Sequence, residues 1–216
     1  IVIRGRSAIA LLQSTIFEPA VAPELFGYSW RLLRLARCDD LTKGEWVQQP
    51  WLMRKFGQTK LNDMIVAPDG GIYVAYHHRG GDESYEATEQ LPKEYYIARI
   101  GEDLSVETFS PGFSPVSSRL FVDSAGRWYI MGRQDDALHM WRVDPKDNFK
   151  PTKHWDLPGT DNLKAMLHTL RPERFGGEGD GDTVHLVTGD YRRIPFDDTV
   201  DRFGLWHASF ELPVNE

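Results

Sequence analysis

LNDMIVAPDGGIYVAYHH at 61–78 and SSRLFVDSAGRWYIMGRQ at 117–134 superpose without a gap at a shift of 56 positions. Each starts with a short apolar run, turns on Asp, Gly and small residues, then alternates apolar and polar side chains around a central Tyr. Val66 matches Val122, Gly70 matches Gly126 and Tyr73 matches Tyr129. Strand side chains point to opposite faces at every second residue, so two such runs across a Gly-containing turn read as a β-hairpin.

The same hairpin recurs on either side. A looser copy runs LHTLRP (167–172), a Gly- and Asp-rich loop, then TVHLVTGDY (183–191). SAIALLQST (7–15) is the second strand of an earlier copy. Each hairpin leads into a third strand, LARC (35–38), IARI (97–100), MWRV (140–143) and HASF (207–210). A fourth follows three of them: EWVQQP (45–50), VETFSP (106–111) and TKHWDLP (152–158). Repeated groups of four antiparallel strands are the pattern of β-propeller blades. The expectation is therefore an all-β, partial β-propeller in one domain, with segments of roughly 1–55, 56–112, 113–160 and 161–216. Two blades read as complete, the first as lacking its inner strand and the last its outer one. Closed rings usually hold about four to eight blades, and six or seven are expected here. Open blade edges attract pairing partners, so the remaining blades are expected from the same protein or from a second chain. A β-sandwich of the same strands is the alternative.

Composition narrows the function. The 216 residues are 41% hydrophobic and 26% charged, a globular balance rather than a disordered one. A net charge of −7 opposes nucleic-acid binding. The single Cys38 excludes an internal disulfide and a thiolate metal cluster. No apolar run approaches the roughly 18 residues of a membrane span. The opening IVIRG has neither Met nor signal-peptide architecture, so a processed, truncated or excised chain is expected. P-loop, G-x-G-x-x-G, G-x-S-x-G and HExxH motifs are all missing from the sequence.

The hairpins, with their D-x-x-G-x-h-Y character, resemble the sialidase-like and BNR-repeat propellers. VDSAGRW (122–128) is the nearest stretch to the sialidase Asp-box and departs from it. IYVAYHHRG (72–80) resembles the strand ending in His and Gly in propeller polysaccharide lyases of the ulvan and rhamnose–glucuronate type, with Tyr76 where those carry Asp. These resemblances imply a carbohydrate-active propeller that works on acidic polysaccharide. A location outside the cell or in the periplasm follows if that reading holds.

Blade topology adds an argument of its own. Strand directions alternate, so inner-strand starts and second-strand ends share one face. Asn62, Asp63, Ser118, Arg119, His168 and Arg171 lie at the starts, and Gln13, His77, His78, Arg79, Arg133, Asp190, Tyr191 and Arg192 at the ends. Long loops (16–27, 79–93, 189–203) leave that face, whereas the opposite turns are tight. A β-eliminating lyase must neutralise a uronate carboxylate, remove the adjacent proton and protonate the leaving oxygen. Arg119, Arg133 and Arg171 suit the carboxylate. His77, His78 or His168 suits the base, Tyr191 the acid, and Asn62 the polarising contact. His77 and His78 are adjacent on a strand, so at most one faces the channel. The alternatives are a non-catalytic propeller that binds glycan or protein and a sialidase-type exo-glycosidase. Trp128, Trp141, Trp155 and Trp206 are expected between blades, and Trp46 and Trp51 on exposed sugar-stacking surfaces. No cofactor is expected, calcium on the acidic loop Glu178, Asp180 and Asp182 being the one candidate.

Overall fold

The computed structural model describes residues 1–16, 30–52, 58–79, 91–135, 137–157, 167–170, 182–189 and 205–212. The chain is all-β, and its strands run in simple up-and-down order. The first sheet joins β1 (Val2–Arg4), β2 (Ser7–Ile16), β3 (Trp30–Cys38) and β4 (Val47–Leu52). The second joins β5 (Gln58–Val66), β6 (Ile72–Arg79), β7 (Glu94–Ile100) and β8 (Val106–Phe109). The third joins β9 (Val116–Val122), β10 (Trp128–Gln134), β11 (Ala137–Asp144) and β12 (Lys150–Asp156). The last joins β13 (Leu167–Leu170), β14 (Thr183–Gly189) and β15 (Leu205–Glu211). Four-stranded antiparallel meanders repeated in this way are propeller blades. The first blade does possess an inner strand, contrary to the sequence reading. At three residues, β1 is too short to read from sequence alternation; it pairs with β2, and its Arg4 also reaches Gly70 O and Glu102.

The repeat of 56 positions is a repeat of register. Val66 pairs with Ile72 and Asp63 with Ala75, while Val122 pairs with Trp128 and Arg119 with Met131. The turns correspond as well. Ala67 N–H donates to Gly71 O at 2.9 Å and Gly70 N–H to Ala67 O at 2.8 Å. Asp123 N–H donates to Arg127 O and Gly126 N–H to Asp123 O, both at 3.0 Å. Gly70 and Gly126 sit at φ of 78° and 76°, a left-handed conformation costly for a residue with a Cβ.

Two compact units divide the chain, Ile1–Ser114 and Pro115–Glu216, each with two sheets. In the first, Ile9, Leu33 and Leu35 of one sheet form a core with Ile72, Val74, Tyr76, Ala98 and Ile100 of the next. Polar contacts join the same two sheets. Gln49 Nε2 donates to Leu104 O at 2.7 Å and Arg37 Nη1 to Glu102 O at 2.9 Å. In the second unit, Phe121, Tyr129, Met131, Leu138 and Met140 pack with Val184 and Leu212. Trp155 packs against that core, while Trp128 and Trp141 are buried on the other face of their sheet. Trp51 packs edge-on to Tyr76 at 5.0 Å between ring centroids, so it is a core residue rather than an exposed stacking surface. Trp46 is exposed.

Candidate functional site

Second strands of blades have a neighbour on each edge, and β6 is covered on both faces as well, being buried from Ile72 through His78. Midway along the β5–β6 pairing, the ladder is interrupted. Leu61 pairs with Tyr76 and Asp63 with Ala75, which leaves Asn62 as the extra residue of a β-bulge. A bulge bends its strand and re-aims a side chain. Here Asn62 Nδ2 reaches His77 Nδ1 at 2.6 Å. With the amide N–H donating, Nδ1 is the acceptor and the neutral imidazole carries its proton on Nε2. Beside the bulge, Leu61 N–H donates to Gln13 Oε1 at 2.8 Å, so the end of β2 supplies a partner for backbone turned away from the ladder.

His77 and His78 occupy opposite faces of β6, and both are buried, at 6% and 7% exposure. His77 lies opposite Tyr95 on β7, the rings 5.2 Å apart and tilted by 57°. Tyr95 in turn meets Phe113. His78 lies opposite Thr59, whose Oγ1 is 3.1 Å from His78 Nδ1. Asp63 is buried too, and its Oδ1 accepts from Met64 N–H at 2.9 Å. One layer in, burial pushes the Tyr76 phenol above its ordinary range, a hydrogen bond with Thr108 opposing the rise. Tyr76 therefore stays a neutral donor stacked on Tyr96.

The second unit carries the corresponding bulge on β9 and β10. Met131 pairs with Arg119 and Arg133 with Val116, so the same bulge falls at Ser117 and Ser118. Ser117 has φ of 54°, and both serines are buried. Opposite them, a Cβ on Gly132 would come within 2.6 Å of Pro115 Cβ. Arg119 Nη1 donates to Ser118 O at 2.8 Å. By register, Arg133 stands where His77 stands in the earlier hairpin, and Arg119 where Asp63 stands.

Asn62 and His77 thus meet beside the bulge in β5, His78 turns to the other face, and Arg119 and Arg133 flank the corresponding bulge in their own sheet. His168 pairs with Val187 in the last sheet, and of His168 only the backbone is described. Arg171 and Tyr191 lie outside the described residues, as do Glu178, Asp180 and most of the long loops. Asp182 is described, and its carboxylate accepts from Ser124 N–H at 2.9 Å and from Ser124 Oγ at 2.8 Å.

Sequence reading missed Thr59 and Tyr95, which only strand register sets beside the histidines. It also missed a cluster on β11 and β12. There His139 lies opposite Asp156 and Trp141 opposite His154. The alternation of His154 and Asp156 on one strand was a signal, but it had no meaning until pairing placed His139 beside it.

No protein-family model matches the chain, and no curated protein matches it. Among solved structures, a GH43 β-1,3-galactosidase matches 87% of this chain with a TM-score of 0.51 at 14% identity. An exo-β-1,3-galactanase from Clostridium thermocellum matches 89% with a TM-score of 0.48 at 15% identity. The chain spans 39% of the first protein and 42% of the second. The fold is that of a β-propeller. The expectation of a uronate-cleaving lyase is corrected by the same finding, because the protein that shares the fold is a glycoside hydrolase. Burial also tells against open elimination bases, since His77 and His78 each have Nδ1 against a neighbouring side chain.

Proposed function

We propose that this chain forms part of a glycoside-hydrolase propeller that binds a galactose-containing glycan beside the β5 bulge, at Asn62, Asp63 and His77. The match over 87% of the chain to a GH43 β-1,3-galactosidase carries this reading. Hydrolysis of a glycosidic bond by the common route requires a pair of carboxyl groups flanking it. Asp63 is the buried carboxylate beside this bulge. Asn62 and His77 form a prearranged polar pair suited to sugar hydroxyls, and Tyr95 supplies an apolar neighbour. Arg119 and Arg133, in the second unit, are proposed separately as a pair suited to an anionic group, and His168, Arg171 and Tyr191 are carried as proposals from the sequence alone. The remainder of a complete hydrolase site is to come from outside this chain, which spans 39% of the galactosidase.

The test incubates the protein with β-1,3-galactan, with its uronate-decorated form and with a sialoside. Released reducing sugar, free sialic acid and the ultraviolet absorbance of unsaturated uronate are followed together. Release of reducing sugar without that absorbance is expected, and His77→Gln should lower kcat/KM at least about tenfold with the fold intact. Retardation in galactan-containing gels without turnover would make the propeller a glycan-binding module. Sialic acid release alone would favour the exo-sialidase reading, and silence in every assay would remove the proposal.

A further inference from the structure

The β11–β12 cluster brings three metal-ligating atoms within a few ångströms of one another. His139 Nδ1 lies 3.0 Å from His154 Nε2 and 2.9 Å from Asp156 Oδ1, and His154 Nε2 lies 3.4 Å from that same oxygen. Two features build this triangle. Antiparallel pairing sets His139 directly opposite Asp156, and alternation along β12 returns His154 to the same face. That face is the one turned away from Leu138, Met140 and Trp155, which serve the core.

The surroundings orient the ligands. His139 Nε2 is 2.8 Å from Gln134 O, and a carbonyl can only accept, so Nε2 carries a proton. Metal-bound histidines characteristically donate their second nitrogen in this way, which fixes the tautomer and leaves the other lone pair for the ion. The Trp141 ring lies nearly parallel to that of His154, at 9° and 5.3 Å between centroids, and also flanks His139 at 5.5 Å. Side-chain exposure rises from 13% at His139 to 47% at His154 and 79% at Asp156, so the cluster opens to solvent on one side.

Proton counting exposes the alternative. Without an ion, the contact to Asp156 needs a second N–H on His139, shared in three-centre fashion with His154 Nε2. A metal would satisfy all three atoms at once. Donors about 2.1 Å from one ion lie roughly 3.4 Å apart in a tetrahedral site and roughly 3.0 Å apart as octahedral neighbours. The observed separations of 2.9, 3.0 and 3.4 Å fall along that range. Two imidazoles with one carboxylate suit zinc and its first-row neighbours better than calcium or magnesium, which take all-oxygen shells.

We propose that His139, His154 and Asp156 form a binding site for a divalent ion of the zinc class, with at least one coordination position open to solvent. The proposal is independent of the hydrolase reading. Chelator-treated protein is to be reloaded with zinc, passed through a desalting column and assayed for metal content, with affinity read by titration calorimetry. One zinc per chain is expected. His154→Gln and Asp156→Asn, both at exposed positions, should each weaken binding at least about tenfold. His185→Gln, whose ring instead meets Ser209 Oγ at 3.0 Å, should leave it unchanged. Cobalt loading of the unsubstituted protein should give visible d–d absorption, a readout that needs no variant to fold. Failure to retain zinc, or the same affinity in the His139→Gln/His154→Gln double variant, would reduce the triangle to a proton-bridged ion pair and overturn the site.

Discussion

Asp123 closes the turn between β9 and β10, and every contact it makes favours its charged form. Burial would raise its pKa, yet hydrogen bonds from Arg127 N–H, Arg127 Nε and Tyr129 O–H, together with the Arg127 charge, hold it below the ordinary carboxylate range. The distances are 2.8, 2.7 and 3.1 Å, and Ala125 N–H adds a further bond at 3.0 Å. A depressed carboxylate contributes stability above its unfolded-state pKa of about 3.9 and loses it as pH falls through the folded value. Asp123→Asn is therefore expected to cost about 2 kcal/mol near neutrality. The difference between the two proteins should shrink below about pH 4, where wild type loses the same term. Urea denaturation at several pH values measures both; a constant gap would show that charge is not what stabilises this turn. The corresponding position in the earlier hairpin is Ala67, so identical backbone turns need not share side-chain support. The hairpin could be read from the Asp, Gly and small residues alone. The convergence of four donors on Asp123 could not, because two of them arrive by folding the turn back on itself.

At the scale of the element, the bulges and the outer strands carry the argument. Pro50 on β4 and Pro151 on β12 sit on the last strand of their sheets, where a missing N–H costs no interior ladder bond. The bulges at Asn62 and at Ser117–Ser118 interrupt pairing at equivalent positions. Gly132 permits the second of these by leaving room for Pro115. Gly132→Ala should destabilise by about 1–3 kcal/mol through overpacking. Gly126→Ala meets no atom within 4 Å and should cost about 1 kcal/mol through its left-handed backbone alone. Thermal melts rank the two, and an equal or reversed order would mean that Pro115 yields easily. Alternation placed Asn62 and Arg119 at the starts of inner strands, whereas β5 and β9 begin earlier, at Gln58 and Val116, and both residues lie within the strand at a bulge. That Asn62 turns onto His77 followed only from the extra residue in β5, which no period of two can reveal.

For the whole molecule, the two units each close a core of their own. Leu35 and Leu138 are fully buried in them. Truncating either to alanine is expected to cost about 2–5 kcal/mol, the transfer term plus the cavity left behind. Hydrogen exchange should show Leu138→Ala loosening residues of the Pro115–Glu216 unit first and Leu35→Ala those of the Ile1–Ser114 unit. Uniform loosening by both would mean that the cores open as one.

The amino-acid sequence by itself determined the strands, the tight turns and the register-preserving repeat. Those depend on period-two alternation and on residues that accept a left-handed turn, both local properties of the chain. The burial of both adjacent histidines was decided only by tertiary packing, since alternation sends them to opposite faces of β6. The three-residue β1 emerged only in the tertiary structure, where it pairs with β2 and its Arg4 reaches Gly70 O and Glu102. The His139–His154–Asp156 triangle was likewise decided by tertiary structure. It joins residues 15 to 17 positions apart whose meeting depends on which strand pairs with which, and in what register.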